Sequence, residues 1–163
     1  MTSIQHEVSS GTRNLSNDSL VRMYVEEVLN TRFVELLPRI FSPDFVDHNP
    51  VADGQSGIEG IYRYVRLLSE PGFDLKFTLE DLVVDRDRVA YRLFGEGPVD
   101  PTRNLTTQGP PAASNEQRQH ILYESIGIYR VVLGKLKEHW GLRRFYIGPM
   151  VGDRIRRQDP AHP

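Results

Sequence analysis

Cysteine is absent from this chain of 163 residues. The absence excludes disulfide bonds, thiolate metal sites and cysteine nucleophiles together. An excess of one charge is also missing, because 20 Lys and Arg residues balance 22 Asp and Glu residues to a net charge of -2. Composition therefore gives no reason to expect a nucleic-acid partner or a membrane partner.

Long apolar runs are lacking as well. No stretch approaches the length of a transmembrane helix, and MTSIQHEVSSGTRNLSN has no apolar signal-peptide core. We therefore expect a cytoplasmic protein, in keeping with the lack of cysteine. The 39% of hydrophobic and 26% of charged residues are typical of a soluble globular chain, and the length suits one domain.

Three segments are predicted along the chain. Residues 1–16 are polar and are expected to be disordered, residues 17–148 form one α+β domain, and residues 149–163 form a tail. The Pro- and Gly-rich stretch 98–118 is either a mobile lid over a pocket or a tolerated insertion. The chain lacks a phosphate-binding loop, a GxSxG motif and an HExxH motif, and its five histidines are scattered, so we expect neither a metal nor a cofactor.

The first half of the chain is predicted to be helical, because apolar residues recur there at helical spacing. Pro38 breaks or kinks the second helix, and Pro50 favours an extended conformation for FVDHNP. The second half changes to the alternation of strands, with a hairpin in LKFTLEDLVV and VAYRLFGEG and a longer one in HILYESIGIYRVV and KLKEHWGLRRFYI. Helices followed by an antiparallel sheet predict an α+β fold.

The second hairpin turns at Leu133-Gly134, and a two-residue turn there sets its register. One face is then apolar and aromatic and pairs Val131 with Leu136, Tyr129 with Glu138, Gly127 with Trp140, and Ser125 with Leu142. The other face is mixed and pairs Arg130 with Lys137, Ile128 with His139, Ile126 with Gly141, and Glu124 with Arg143. We expect the first face to be the inside.

This register places Glu138 on the inner, apolar face. A carboxylate removed from water without a cationic partner has a raised pKa and can act as a general acid or base near neutral pH. The alternative is a surface glutamate, or one paired with a lysine or arginine. His139 falls on the opposite face, unless a bulge near Gly141 turns it inward.

Two further residues are candidates for the site. In the first hairpin Tyr91 pairs with Leu82, and its ring is either core packing or a proton donor into a pocket. His48 either lines a pocket mouth or caps a turn. Its neighbours Asp47 and Asn49 are typical of turn chemistry.

The segments FSPDFVDHNP, GIEGIYRYV, FTLEDLVVDRDRVAYR and YRVVLGKLKEHW, in this order, resemble the SnoaL-like polyketide cyclases of the nuclear-transport-factor-two-like superfamily. The resemblance implies a cone-shaped α+β barrel, in which three N-terminal helices pack on a curved, mainly antiparallel sheet and enclose an apolar pocket. It also implies a homodimer. Members commonly close rings on polyketide or related intermediates without a cofactor, while relatives open epoxides or have lost catalysis.

The sequence departs from the family at its catalytic positions. The aldol-type cyclases carry an acid/base Asp where this chain has Gly141, and a His where it has Gly127. They also carry Gly-Thr-His-type residues where this chain has Gly95-Glu96-Gly97. Their aldol mechanism is therefore not transferred to this chain.

The leading hypothesis is a cofactor-independent cyclase acting on an apolar small molecule. Glu138 is the expected acid/base, and Tyr91 or Tyr129 donates a hydrogen bond to a developing oxyanion or an epoxide oxygen. The predicted catalytic residues are Glu138, Tyr91 and His48, and the predicted substrate-binding residues are Tyr129, Tyr123, Trp140, His139 and Gly127.

Three alternatives stay open. Pericyclic or cation-guided closure would suffer more from Gly127→Leu than from Glu138→Gln. An epoxide hydrolase would use a carboxylate to activate water, and a non-catalytic binding scaffold would be favoured by a cation held against Glu138. We expect a homodimer in each case, because Ile126 and Ile128 lie on the outer face and need cover.

Overall fold

The computed structural model describes residues 15–50, 54–99, 119–151 and 154–155. The predicted disorder of the N-terminal segment falls almost wholly on residues 1–14, outside the described residues. The predicted lid or insertion at 98–118 lies outside them as well, except for Pro98 and Val99, which end a strand.

The elements follow the predicted order of helices before strands. The helical part is α1 (Asn17–Met23), which continues as a π-helical turn (Tyr24–Leu29), a 3-10 turn (Val34–Leu36), α2 (Leu37–Ile40) and, after the first strand, α3 (Ile58–Leu68). The strands are β1 (Phe41–Asp47), β2 (Lys76–Asp85), β3 (Arg88–Val99), β4 (Gln119–Val132), β5 (Lys135–Val151) and β6 (Arg154–Ile155).

Each helix is explained by its apolar spacing. In α3 the buried residues are Ile61, Val65 and Leu68, which recur three and four positions apart and form one face. Pro38 stands in the first turn of α2, where a missing backbone N–H costs no hydrogen bond, so it starts this helix and ends the preceding 3-10 turn. No helix among the described residues is both long and apolar enough to cross a membrane.

The strands form one mixed, curved sheet in the order β1-β5-β4-β3-β2, and β6 pairs with the end of β5. Strand β1 runs parallel to β5, and all other pairs are antiparallel. The helices pack on this sheet, so the predicted α+β fold of helices on a curved, mainly antiparallel sheet is confirmed. Pairing continues to Val151 and to β6, past the predicted domain boundary at residue 148.

The first hairpin has the predicted register. Asp81 pairs with Arg92, and Leu82 pairs with Tyr91. The Arg92 Nε lies 2.6 Å from the Asp81 carboxylate, so the expected cross-strand ion pair is present on the exposed face.

The second hairpin begins in the predicted register and then leaves it. Leu133 and Gly134 both have positive φ, as a two-residue hairpin turn requires, and Val131 pairs with Leu136. The next pair is Arg130 with Glu138, so Lys137 is an extra residue on β5 that forms a bulge.

The bulge exchanges the two faces of β5 beyond Lys137, because side chains alternate along a strand. His139 pairs with Tyr129 and points inward, whereas Glu138 and Trp140 belong to the outer face. The predicted inner position of Glu138 and Trp140 is therefore wrong, and so is the outer position of His139. A bulge does turn His139 inward, but it lies before the histidine and not near Gly141.

The core lies between the helices and the inner face of the sheet. Phe41 is fully buried and makes edge contacts with Tyr24, Phe45 and Tyr129 at ring centroid distances of 5.0, 4.8 and 6.4 Å. This aromatic cluster fixes β1 and the first helix against the inner rings of β4.

Candidate active site

A pocket opens between the helices and the inner face of the sheet. The space between its walls and its mouth, open solvent included, is about 560 Å³. Its wall is mostly apolar but carries five tyrosines (Tyr24, Tyr64, Tyr91, Tyr123 and Tyr129) and two charged residues, Asp47 and Arg143. An apolar pocket with a few convergent polar groups is the common form of a small-molecule site.

Asp47 is the carboxylate of this pocket. It ends β1 and is only 3% exposed. Its Oδ1 lies 2.8 Å from Nδ1 of His139 and accepts a hydrogen bond from the backbone N–H of Asn49 at 3.0 Å. Burial opposes the charged form, but the hydrogen bond from His139 and the charge of Arg143 outweigh it and hold the pKa of Asp47 below its ordinary value.

His139 lies behind the pocket wall and is 1% exposed. Its ring packs against the rings of Tyr91 and Tyr129, with centroids 5.9 and 4.6 Å away. Burial lowers the pKa of His139, even though the hydrogen bond to Asp47 raises it, so the imidazole is neutral at neutral pH.

The partners of the imidazole define its tautomer. Because the Asp47 carboxylate only accepts hydrogen bonds, Nδ1 of His139 carries the proton and Nε2 has a free lone pair. The Tyr91 hydroxyl lies 2.9 Å from Nε2 and donates to it. Ser125 Oγ, 3.2 Å from the same hydroxyl oxygen, then donates to Tyr91.

Asp47, His139 and Tyr91 thus form a continuous hydrogen-bonded chain, which we call the relay. It runs from a buried carboxylate to a hydroxyl on the pocket wall. Burial raises the pKa of Tyr91 well above its usual range, so the group that the relay presents to the pocket is a phenol and not a phenolate.

Arg143 is the cation of the pocket. One guanidinium nitrogen lies 3.1 Å from Oδ2 of Asp47, and another donates to the backbone carbonyl of Asn49. Its side chain is 15% exposed. The charges of Arg143 and Asp47 therefore offset each other, and the guanidinium lies beside the relay.

The structure brings together only part of the predicted site. Tyr91, Tyr123 and Tyr129 line the pocket, and Gly127 lies beneath the contact between Tyr91 and His139. His139 lies next to the pocket because it points inward, whereas the predicted register places it on the outer face.

Glu138, His48 and Trp140 form a separate cluster outside the pocket. The Arg130 guanidinium lies 2.9 Å from the Glu138 carboxylate, and His48 Nε2 lies 3.2 Å from it. The contact with Arg130, followed by that with His48, lowers the pKa of Glu138, which is the reverse of the expected direction. The His48 ring stacks on Trp140 at 4.6 Å, and Arg88 covers Trp140 at 5.1 Å.

Sequence reasoning missed Asp47 and Arg143. A signal for Asp47 existed, because alternation from the buried Phe45 places it on the same face of β1. Arg143 has the parity of His139, so it was assigned to the outside by the same error at Lys137.

Among the residues that the structure describes, no group of three or more His, Asp or Glu side chains is placed to hold a metal ion. The charged residues of the pocket, Asp47 and Arg143, already pair with each other.

The family model for SnoaL-like polyketide cyclases matches residues 19–143, which is most of the chain. The chain belongs to the SnoaL-like polyketide cyclase family. No curated protein matches the sequence.

Solved structures of other proteins share this fold. TsrD from Streptomyces laurentii is 23% identical, with 79% of this chain and 90% of that chain covered and a TM-score of 0.63. A SnoaL-like polyketide cyclase from Agrobacterium tumefaciens is 19% identical, with 78% and 90% covered and a TM-score of 0.59. IdmH from Streptomyces antibioticus is 22% identical, with 77% and 90% covered and a TM-score of 0.58. At these identities the likeness concerns the fold.

Proposed function

We propose that this protein is a cofactor-independent cyclase that closes a ring on an apolar polyketide-type or related natural-product intermediate by acid/base catalysis. The observation that carries the proposal is the relay from Asp47 through His139 to the Tyr91 hydroxyl on the wall of an apolar pocket. Family membership supports the reaction class.

In this proposal the relay moves one proton. The Tyr91 oxygen takes a proton from the substrate while its own proton passes to Nε2 of His139. Asp47 stabilises the imidazolium that forms, through Nδ1. The same proton returns to another substrate atom once the ring has closed, so the cycle needs neither an oxidant nor a cofactor.

The surroundings of Tyr91 favour a concerted transfer. A free phenolate is disfavoured by burial, whereas passing the proton directly to His139 avoids it. The guanidinium of Arg143 stabilises negative charge that develops on a substrate oxygen in this water-poor site. The aromatic wall holds a flexible substrate in a folded conformation.

Proton abstraction can be measured without the natural substrate. The protein is incubated in D₂O with a panel of apolar ketones of one to three rings, and deuterium uptake next to the carbonyl is followed by NMR. Tyr91→Phe and His139→Gln should each reduce protein-catalysed exchange by about 10²–10⁴-fold. Wild-type exchange in a folded His139→Gln variant would contradict the relay.

Glu138→Gln is the matched control, because it changes a carboxylate next in sequence to His139 but on the other face of the strand. We expect its exchange rate to stay within about twofold of wild type. If Glu138 were the acid/base, the two neighbouring variants would give the reverse pattern.

Epoxide opening is the second candidate, because the pocket places a carboxylate and a neutral phenol together. In that reaction Tyr91 would protonate the epoxide oxygen and Asp47 would activate water. Heavy-oxygen water distinguishes the outcomes: a labelled diol indicates hydrolysis, and an unlabelled cyclic product indicates ring closure.

One observation favours the non-catalytic alternative, and another speaks against it. Arg130 does hold Glu138, as that alternative expected. The buried relay, however, has the form of an acid/base site, and this alternative does not require one. Pocket binding without any proton exchange would favour it.

The proposal includes a homodimer acting in the cytoplasm. Ile126, Ile128 and Leu142 are 62%, 42% and 80% exposed on the outer face of the sheet, and a second copy would cover them. A monomer in sedimentation at working concentration would contradict the dimer.

A further inference from the structure

The hydrogen bond between Tyr91 and His139 lies over two glycines that pair with each other in the sheet. Gly127 on β4 pairs with Gly141 on β5, and Tyr91 on β3 pairs with Gly127. The side chains of Tyr91 and His139 therefore meet above a short row of the sheet that has no side chains of its own.

The backbone does not explain why these residues are glycine. The positive-φ glycines of the described residues are Gly54, Gly72 and Gly134, so neither Gly127 nor Gly141 needs a left-handed conformation. Glycine inside a strand weakens it, and it often marks a place where another group approaches closely.

The group that approaches is the imidazole. A Cβ at Gly127 would lie 2.7 Å from the Tyr91 hydroxyl oxygen and 2.8 Å from Nε2 of His139, the two atoms of the relay hydrogen bond, and 2.8 Å from the Trp140 carbonyl oxygen. A Cβ at Gly141 would lie 2.8 Å from both Cε1 and Nε2 of His139. Real Cβ atoms essentially never approach within 3.0 Å.

The imidazole of His139 has little room to move. Its ring contacts the rings of both Tyr91 and Tyr129, which also contact each other, and its Nδ1 is hydrogen-bonded to Asp47. A methyl group at Gly141 must therefore tilt the ring, and one at Gly127 must tilt the ring or push the Tyr91 hydroxyl away. Each of these movements disturbs the hydrogen bond between Tyr91 and His139.

We infer that Gly127 and Gly141 are positioning residues, which keep open the space in which the His139 imidazole accepts the Tyr91 proton. The inference deepens the proposed function, on which its catalytic consequence rests. The geometric part stands without it.

The first test is a pair of variants observed by NMR. Protein with ¹⁵N-labelled histidine reports the tautomer of His139 and the hydrogen bond at Nε2 directly. Gly127→Ala and Gly141→Ala should each move the Nε2 resonance and raise the pKa of His139, because a hydrogen bond to the neutral imidazole is lost. Gly95→Ala is the control: its Cβ would meet the Phe77 ring and Cβ of Tyr123 instead, so the His139 resonances should stay in place.

The second test is a double-mutant cycle in which the Tm is measured. If Gly141→Ala alone does not fold, the readout is whether adding His139→Ala restores a folded protein. We expect Gly141→Ala to lower the Tm by roughly 5 °C or more. In the His139→Ala background the same change should leave the Tm unchanged or raise it, because both contacts below 3.0 Å are with the imidazole.

The outcomes separate the two claims. Unchanged His139 resonances in both alanine variants, or an equal loss of Tm with and without His139, overturn the positioning role. Shifted resonances and a relieved Tm loss support it. If they occur while deuterium exchange stays at the wild-type rate, the positioning role holds and the proposed relay chemistry fails.

Discussion

The Tyr91 hydroxyl oxygen lies 2.9 Å from Nε2 of His139, and the same imidazole lies 2.8 Å from Asp47 through Nδ1. One histidine therefore connects a hydroxyl on the pocket wall with a buried carboxylate. Groups linked in this way act as a unit, so their contributions to a rate are not additive.

Non-additivity gives the first prediction. Tyr91→Phe keeps the ring and its packing but removes the oxygen that reaches the substrate. Adding His139→Gln to Tyr91→Phe should lower the rate of deuterium exchange hardly further than Tyr91→Phe does alone. Two independent losses that multiply in the double variant would show that the residues do not share one proton path.

The second prediction concerns stability and pH. The pKa of His139 is lowered in the folded protein, relative to an ordinary value of 6.5, chiefly by burial. Below about pH 6.5 the unfolded chain therefore binds a proton that the folded state resists, and stability falls as the pH falls towards the lowered value.

Thermal melts between pH 7.5 and 5 measure this dependence. His139→Gln removes the titrating group, so its Tm should change less over this range than that of wild type. Melting curves that fall in parallel for both proteins would contradict the lowered pKa. Asp47 acts at lower pH: its stabilising contribution is present above about pH 4 and is lost as the pH falls through its own lowered pKa.

The third prediction concerns the pair of Asp47 and Arg143. Asp47→Asn keeps the shape of the side chain but leaves the partly buried guanidinium of Arg143 without its carboxylate, which should cost roughly 3 kcal/mol in the free energy of unfolding. Urea denaturation measures the loss. Combining it with Arg143→Met should recover part of the loss, because the uncompensated charge is then gone. A double variant less stable than the sum of the single changes would contradict this coupling.

The fourth prediction concerns the outer cluster. Glu138→Gln and Arg130→Gln remove a solvent-accessible ion pair that salt screens, so we expect each Tm to stay near that of wild type in 0.15 M salt. Differential scanning calorimetry checks this. A large loss of Tm in either variant would indicate that the cluster holds β1 against β5, through the contact between Glu138 and His48.

Much of the fold could be predicted from local patterns. The spacing of Ile61, Val65 and Leu68 predicts a helix, and the turn at Leu133-Gly134 predicts the start of the longest hairpin. Both features depend on interactions between residues that are close in sequence, so they can be recognised from the order of the residues alone.

The site depends on a feature that local patterns do not display. The bulge at Lys137 lies where β5 pairs with both β4 and β1, and nothing in the letters GKLKEHWG indicates an extra residue. Strand alternation extends this error to every later position, so Glu138 is predicted on the inner face, where the structure places His139. The inner position of Asp47 follows from strand alternation starting at Phe45. Asn49 and Pro50, which follow shortly after it, instead favour a turn.

The bulge also has a consequence for reading relatives of this chain. A homologue with one residue fewer at Lys137 would pair regularly with β4 and would keep the corresponding side chains on the inner face along the rest of β5. An ungapped alignment across this position would then compare residues that point in opposite directions. A gap at this single position would restore the correspondence between the pocket side chains of the two chains.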